Sequence, residues 1–128
     1  MIPVQRALVV DDDEDLLRLC RVTLQTFTDW TVVVARSADA AIGAARREAP
    51  DVILLDLMMP DGGGLSILRA LKGCAATAGI PVVLMTASDA AGIDACRDRG
   101  ALGVITKPFD PMDLPGQIVR ILGDRRVP

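Results

Sequence analysis

Three carboxylates, a hydroxyl and an ammonium, spread from one end of the chain to the other, each stand directly after a short apolar run. Asp11 and Asp12 follow Ala7-Leu-Val-Val10, Asp56 follows Val52-Ile-Leu-Leu55, Thr86 follows Val82-Val-Leu-Met85, and Lys107 follows Val104-Ile-Thr106. Apolar runs of this length, bounded by turn signals, suit strands buried on both faces. Each polar residue then sits at the carboxyl end of a strand, the rim at which open α/β sheets bind ligands. Three carboxylates on one rim repel one another: at about 4 Å and an effective dielectric of roughly 20, each like-charge pair costs about 4 kcal/mol. Such a cluster calls for a cation, and an all-oxygen site with few protein ligands suits Mg²⁺, or Mn²⁺ in its place. With Lys107 as a fixed positive charge and Thr86 as a donor, the rim can also accept an anion. The chemistry indicated is an aspartate nucleophile attacking a phosphoryl group whose oxygens are held by metal, ammonium and hydroxyl. Singly, each residue has an ordinary explanation: a capping acidic turn at 11–13, a turn aspartate, a strand-end threonine, a solvated loop lysine. Their shared position argues for the site.

The elements that must position these residues alternate regularly. Strand Arg6–Val10 leads into a helix from Glu14, capped by Asp13, with acids Glu14 and Asp15 in its first turn and an apolar face of Leu16, Leu17, Cys20, Leu24 and Phe27. Thr28-Asp29 breaks it before strand Thr31–Ala35. Ser37 caps a second helix, Ala38 to about Glu48, with Ala41, Ile42 and Ala45 inward, and Ala49-Pro50 stops it. After the Asp56 strand, Pro60 opens the turn Asp61-Gly62-Gly63-Gly64, and a third helix spans Leu65 to Lys72 on Leu65, Leu68 and Leu71. Pro81 opens strand Val82–Met85, tolerable at a first position. A fourth helix, Asp89 to Arg99, takes Ser88 as N-cap and Gly100 at C′. After strand Leu102–Thr106, Asp110-Pro111 predicts a single turn at 111–114 and a helix proper from about Pro115 to Leu122, ended by Gly123, with 124–128 frayed. Five β-α units with right-handed crossovers give a five-stranded parallel sheet covered on both faces, one domain over residues 1–128.

Composition narrows the function classes. The chain has no histidine, which removes a Ser-His-Asp triad, a His-ligated zinc and a phosphohistidine carrier. Cys20, Cys74 and Cys96 are odd in number and lack Cys-x-x-Cys spacing, so they read as reduced thiols of a cytoplasmic protein. A net charge of −3 argues against direct nucleic-acid binding. No apolar stretch approaches the roughly 20 residues of a membrane helix, and no signal peptide precedes the first strand. The phosphatase signature Asp-x-Asp-x-Thr/Val fails, because Asp11-x-Asp13 is followed by Asp15 and Asp13-x-Asp15 by Leu17. A P-loop is excluded by the lack of any Gly-Lys-Ser/Thr.

With Val9-Val-Asp-Asp12, Asp56-Leu-Met-Met-Pro60 plus Gly64, Met85-Thr-Ala87 and Lys107-Pro-Phe109 in place, the chain resembles the receiver domain of bacterial two-component response regulators along essentially its whole length. The resemblance implies a flavodoxin-like (βα)5 fold with strand order 2-1-3-4-5. It implies that Asp56 takes a phosphoryl group from a sensor histidine kinase or histidine phosphotransfer protein, and that the domain switches binding to a downstream protein target. The domain would then catalyse only its own phosphorylation and dephosphorylation. Carried over by position, Asp12, Asp56 and the Met58 carbonyl bind Mg²⁺, Asp11 acts largely through water, and Lys107 contacts the phosphoryl oxygens beside a cis Lys107-Pro108 peptide. Thr86, followed by Ala87, hydrogen-bonds the phosphoryl group and shifts a pre-existing equilibrium. Met58 and Ser88 would govern access of water to it. The family often has Tyr or Phe three residues before the lysine; here Val104 stands there, so an aromatic switch is not available. The run Gly103–Pro115 looks like that of stand-alone, chemotaxis-regulator-like receivers, implying a single-domain regulator or phosphorelay shuttle. The alternatives are a receiver excised from a larger regulator or hybrid kinase, and a pseudo-receiver that binds partners without phosphorylation.

Overall fold

Branched aliphatic runs flanked by helix-forming segments produce five strands in the computed structural model, which describes residues 4–60, 63–87 and 90–124. They are β1 (Arg6–Val10), β2 (Thr31–Ala35), β3 (Val52–Asp56), β4 (Val82–Thr86) and β5 (Gly103–Thr106), all parallel, in the order β2-β1-β3-β4-β5. This is the expected flavodoxin-like arrangement. Alternate residues point to opposite faces. Leu8, Val10, Ile53, Leu55 and Leu84 pack beneath α2 (Ala38–Glu48), α3 (Gly63–Lys72) and Cys96 of α4 (Ala90–Asp98). Ala7, Val9, Leu54, Val83, Met85 and Ile105 pack beneath α1 (Glu14–Phe27) and α5 (Leu114–Asp124). β1, β3 and β4 are buried from end to end except at Arg6, which is why their sequences run apolar without alternation.

The helix ends follow local chemistry. The Asp13 carboxylate accepts from the Asp15 and Leu16 N–H groups at 3.0 and 3.2 Å, and Ser37 accepts from Ala40 at 3.2 Å. α2 ends on Ala49 in the left-handed region (φ 46°), with Pro50 blocking continuation. Gly100 takes a positive φ of 105° after α4, as its place at C′ requires. Pro115 lies in the first turn of α5, where the missing N–H has no helical acceptor to lose; a 3-10 turn at Pro111–Asp113, capped by Asp110, precedes it.

Several expectations need correction. Phe27 is not core: it is 54% exposed, in the last turn of α1, whose 14 residues span about 21 Å against about 17 Å for a five-residue strand. Leu16 and Leu65 are only half-buried, whereas Thr23, Ala44 and Ile67 are buried. α3 starts at Gly63, not Leu65, and α5 runs through Gly123 to Asp124. β4 extends to Thr86, β5 begins one residue later than expected, and α4 ends at Asp98. The Ser88 cap, the Asp89 start of α4 and the tail 125–128 lie outside the described residues. Among the described residues, no helix is long and apolar enough to cross a membrane.

Candidate functional site

The site lies where β1, β3, β4 and β5 end. Parallel pairing with registers Val10↔Leu55, Asp56↔Met85 and Thr86↔Thr106 aligns those ends. Asp11, Asp12 and Asp56 each offer a carboxylate oxygen, and these atoms lie within 4.8 Å of one another. Asp11 and Asp56 are 1% and 4% exposed, while Asp12 faces solvent. Two buried carboxylates beside an exposed third form an all-oxygen cradle open on one side. That donor set fits a hard divalent cation that keeps part of its water shell.

Short backbone bonds orient the buried pair. Asp11 Oδ1 accepts the Asp13 N–H at 2.9 Å, and Asp56 Oδ1 accepts the Met58 N–H at 3.0 Å. Lys107 Nζ donates to Asp11 Oδ2 at 2.8 Å and stands 3.6 Å from Asp56 Oδ1. Burial alone would lower the pKa of this ammonium, but the hydrogen bond and charge of Asp11, with Asp56 behind it, outweigh burial and hold it above the ordinary lysine range. Lys107 is itself fixed by its N–H, which donates to the Thr86 carbonyl at 2.8 Å, and the Lys107-Pro108 peptide is cis, as the resemblance implied.

Thr86 is fully buried, and its hydroxyl finds no partner among the described residues. A buried hydroxyl normally finds one, so the atom is poised for a group that enters the site. Ala87 is exposed and lines, with Asp13, Leu16, Leu19, Lys107, Pro108 and Phe109, a largely apolar concavity of about 350 Å³ beside the ammonium. Val104 pairs with Leu84 and packs half-buried against the core under α2 and α3; it gives the β5 edge no ring to rotate. Met58 projects outward, 61% exposed, whereas its neighbours Leu57 and Met59 are buried and anchor the loop from below. Those two anchors escaped the sequence reading, because Leu57-Met58-Met59 is apolar throughout and only the structure separates the buried pair from Met58.

The first six and last nine residues apart, this fold and rim are shared widely. The chain matches the response regulator receiver domain family over residues 7–119. It is 42% identical over 111 residues to the response regulator PleD of Caulobacter vibrioides, covering 85% of this chain and 24% of that one. It is 40% identical over 107 residues to TcrX of Mycobacterium tuberculosis, covering 80% and 43%. The solved structure of the chemotaxis response regulator CheY4 of Vibrio cholerae superposes with a TM-score of 0.84 at 25% identity, over 93% of this chain and 99% of that one. The chain therefore belongs to the response regulator receiver domains, modules of two-component signalling. It spans less than half the length of these two curated relatives.

Proposed function

We propose that Asp56 is the phosphoacceptor of this receiver and that the rim around it is the phosphorylation machinery. The observation that carries this reading is the buried Asp56 carboxylate, 3.6 Å from the Lys107 ammonium and inside a triad of carboxylates. In the reaction, an Asp56 oxygen attacks the phosphorus of a phosphohistidine on a sensor histidine kinase or histidine phosphotransfer protein. The P–O bond forms as the P–N bond breaks, and the imidazole leaves with the electron pair. Asp12, Asp56 and the Met58 carbonyl would hold Mg²⁺, with Asp11 acting through water. When bound, the ion neutralises charge on the phosphoryl oxygens.

The chain's own groups do the rest. Lys107, already cationic and fixed by its backbone bond, stabilises a second phosphoryl oxygen. The Thr86 hydroxyl, without a partner among the described residues, gains an acceptor once the acyl phosphate forms. That differential contact biases the β4–α4 loop, including Ala87 and Ser88, toward the state that binds a downstream protein. With Val104 in place of an aromatic, the bias passes through Thr86 and its loop. We infer a cytoplasmic signalling module that turns over no substrate besides its own aspartyl phosphate.

Incubation with acetyl phosphate and Mg²⁺ tests the assignment by intact mass. The expected outcome is one added phosphoryl group on the parent protein and none on Asp56→Asn. Equal modification of the variant would refute Asp56 as the acceptor, and failure of the parent to bind Mg²⁺ would favour the pseudo-receiver reading.

A further inference from the structure

The start of α3 touches the backbone on which Asp56 stands. A methyl group at Gly64 would lie 2.5 Å from the Asp56 carbonyl oxygen and 2.8 Å from Leu57 Cα, distances that real side chains do not adopt. Both obstructing atoms are main chain, so no rotamer change can relieve the clash. Gly64 also donates its N–H to the Leu57 carbonyl at 2.8 Å. One residue thus grips both carbonyls that flank Leu57, the first by bare packing and the second by a hydrogen bond. Gly63 adds to the grip: its φ is +70°, and a side chain there would meet the Leu57 carbonyl at 2.9 Å.

The gripped peptides are those that aim the reactive groups. The Asp56–Leu57 peptide sets the direction in which the Asp56 side chain leaves β3, and the Leu57–Met58 peptide carries the N–H that Asp56 Oδ1 accepts. Leu57 and Met59 hold the same loop from the core side. α3 itself is anchored separately, by Ile67, Leu68 and Leu71 in the core. With both partners held by the core, a side chain at Gly64 would force the start of α3 and the Asp56–Leu57 backbone apart.

We propose that Gly64 is a positioning residue for phosphoryl transfer: its missing side chain lets α3 press the Asp56–Met58 backbone into the geometry that holds the metal. This rests on the reading of Asp56 and Mg²⁺ above. Gly64→Ala should raise the Mg²⁺ dissociation constant at least tenfold, and labelling by acetyl phosphate should recover when MgCl₂ is raised by the same factor. Gly43 is a suitable reference, since an added methyl there meets only the tip of Arg47 at 3.9 Å. Gly43→Ala replaces a helix-interior glycine, should stabilise the fold, and serves as the background for the experiment. The readout is calorimetric titration with MgCl₂, under conditions where circular dichroism shows both proteins folded. A glycine that serves only stability would lower the melting temperature and leave the Mg²⁺ affinity of the folded protein unchanged; that result overturns the proposal. Failure of Gly64→Ala to fold in the stabilised background overturns it too, because the residue would then serve the core. If the Gly43→Ala protein itself binds no Mg²⁺ and takes no phosphoryl group, the functional reading fails, not this inference alone.

Discussion

At Met58 the chain places an exposed, flexible thioether on the loop after Asp56, its N–H already committed to the Asp56 carboxylate. In the proposed acyl phosphate, Met58 would flank the approach of an in-line water, and an apolar side chain neither binds nor orients it. Met58→Asn should shorten the phosphoryl lifetime severalfold, measured as loss of label after acetyl phosphate is removed; an unchanged lifetime would remove Met58 from that role. The cysteines diverge for equally local reasons. Burial, with the Asp11 carboxylate adding to it, pushes the Cys20 thiol up to about 12. The half-buried Cys74 thiolate is stabilised first by the Ala76 N–H and also by Thr77, so its pKa falls below the ordinary 9.0. With Cys96 fully buried, a disulfide-exchange reagent at mildly alkaline pH should titrate one thiol rapidly in the native protein and all three after unfolding. Rapid reaction of two or more native thiols would contradict the burial described.

Among the elements, α2 illustrates how a helix can be well begun and poorly ended. Ser37 supplies the expected cap, but Ala49 occupies the left-handed C′ position that glycine fills without strain. Ala49→Gly should therefore stabilise the protein by about 0.5–1 kcal/mol, the relieved strain exceeding the added freedom of the unfolded chain. Ser37→Ala should cost about 1 kcal/mol. Urea denaturation of the two variants checks both signs, and neither residue belongs to the site. The ends of α1, α2, β1 and β2 were legible in the residue types, whereas β4 ran one residue further and β5 began one residue later than those types indicate. The start of α3 was not legible either. Three consecutive glycines read as a turn by propensity, and only packing against β3 draws Gly63 and Gly64 into the helix.

For the molecule as a whole, one buried and one half-buried group tie stability to alkaline pH. Cys20 and Lys107 both have folded pKa values above their ordinary ones. Raised values mean that the folded state keeps the proton longer, so their contribution is complete below the unfolded pKa and is lost as pH climbs through the folded one. For Cys20 that window runs from 9.0 to about 12; for Lys107 it opens above the ordinary lysine value. Urea midpoints should thus hold steady near neutrality and fall from about pH 9 upward. Cys20→Val should flatten the early part of that fall, and an equally steep fall would exclude the thiol as its source. The residue order along the chain determined the alternation of five β-α units and the delivery of Asp11, Asp12, Asp56, Thr86 and Lys107 to strand ends, because both follow from short-range periodicity and turn chemistry. Only the tertiary structure decided that Lys107 bonds Asp11 while standing farther from Asp56, that Phe27 stays exposed, and that Gly64 presses on the Asp56 backbone. Those outcomes depend on distances between residues remote in sequence or on the relative lengths of packed elements, which no local pattern of residue types encodes.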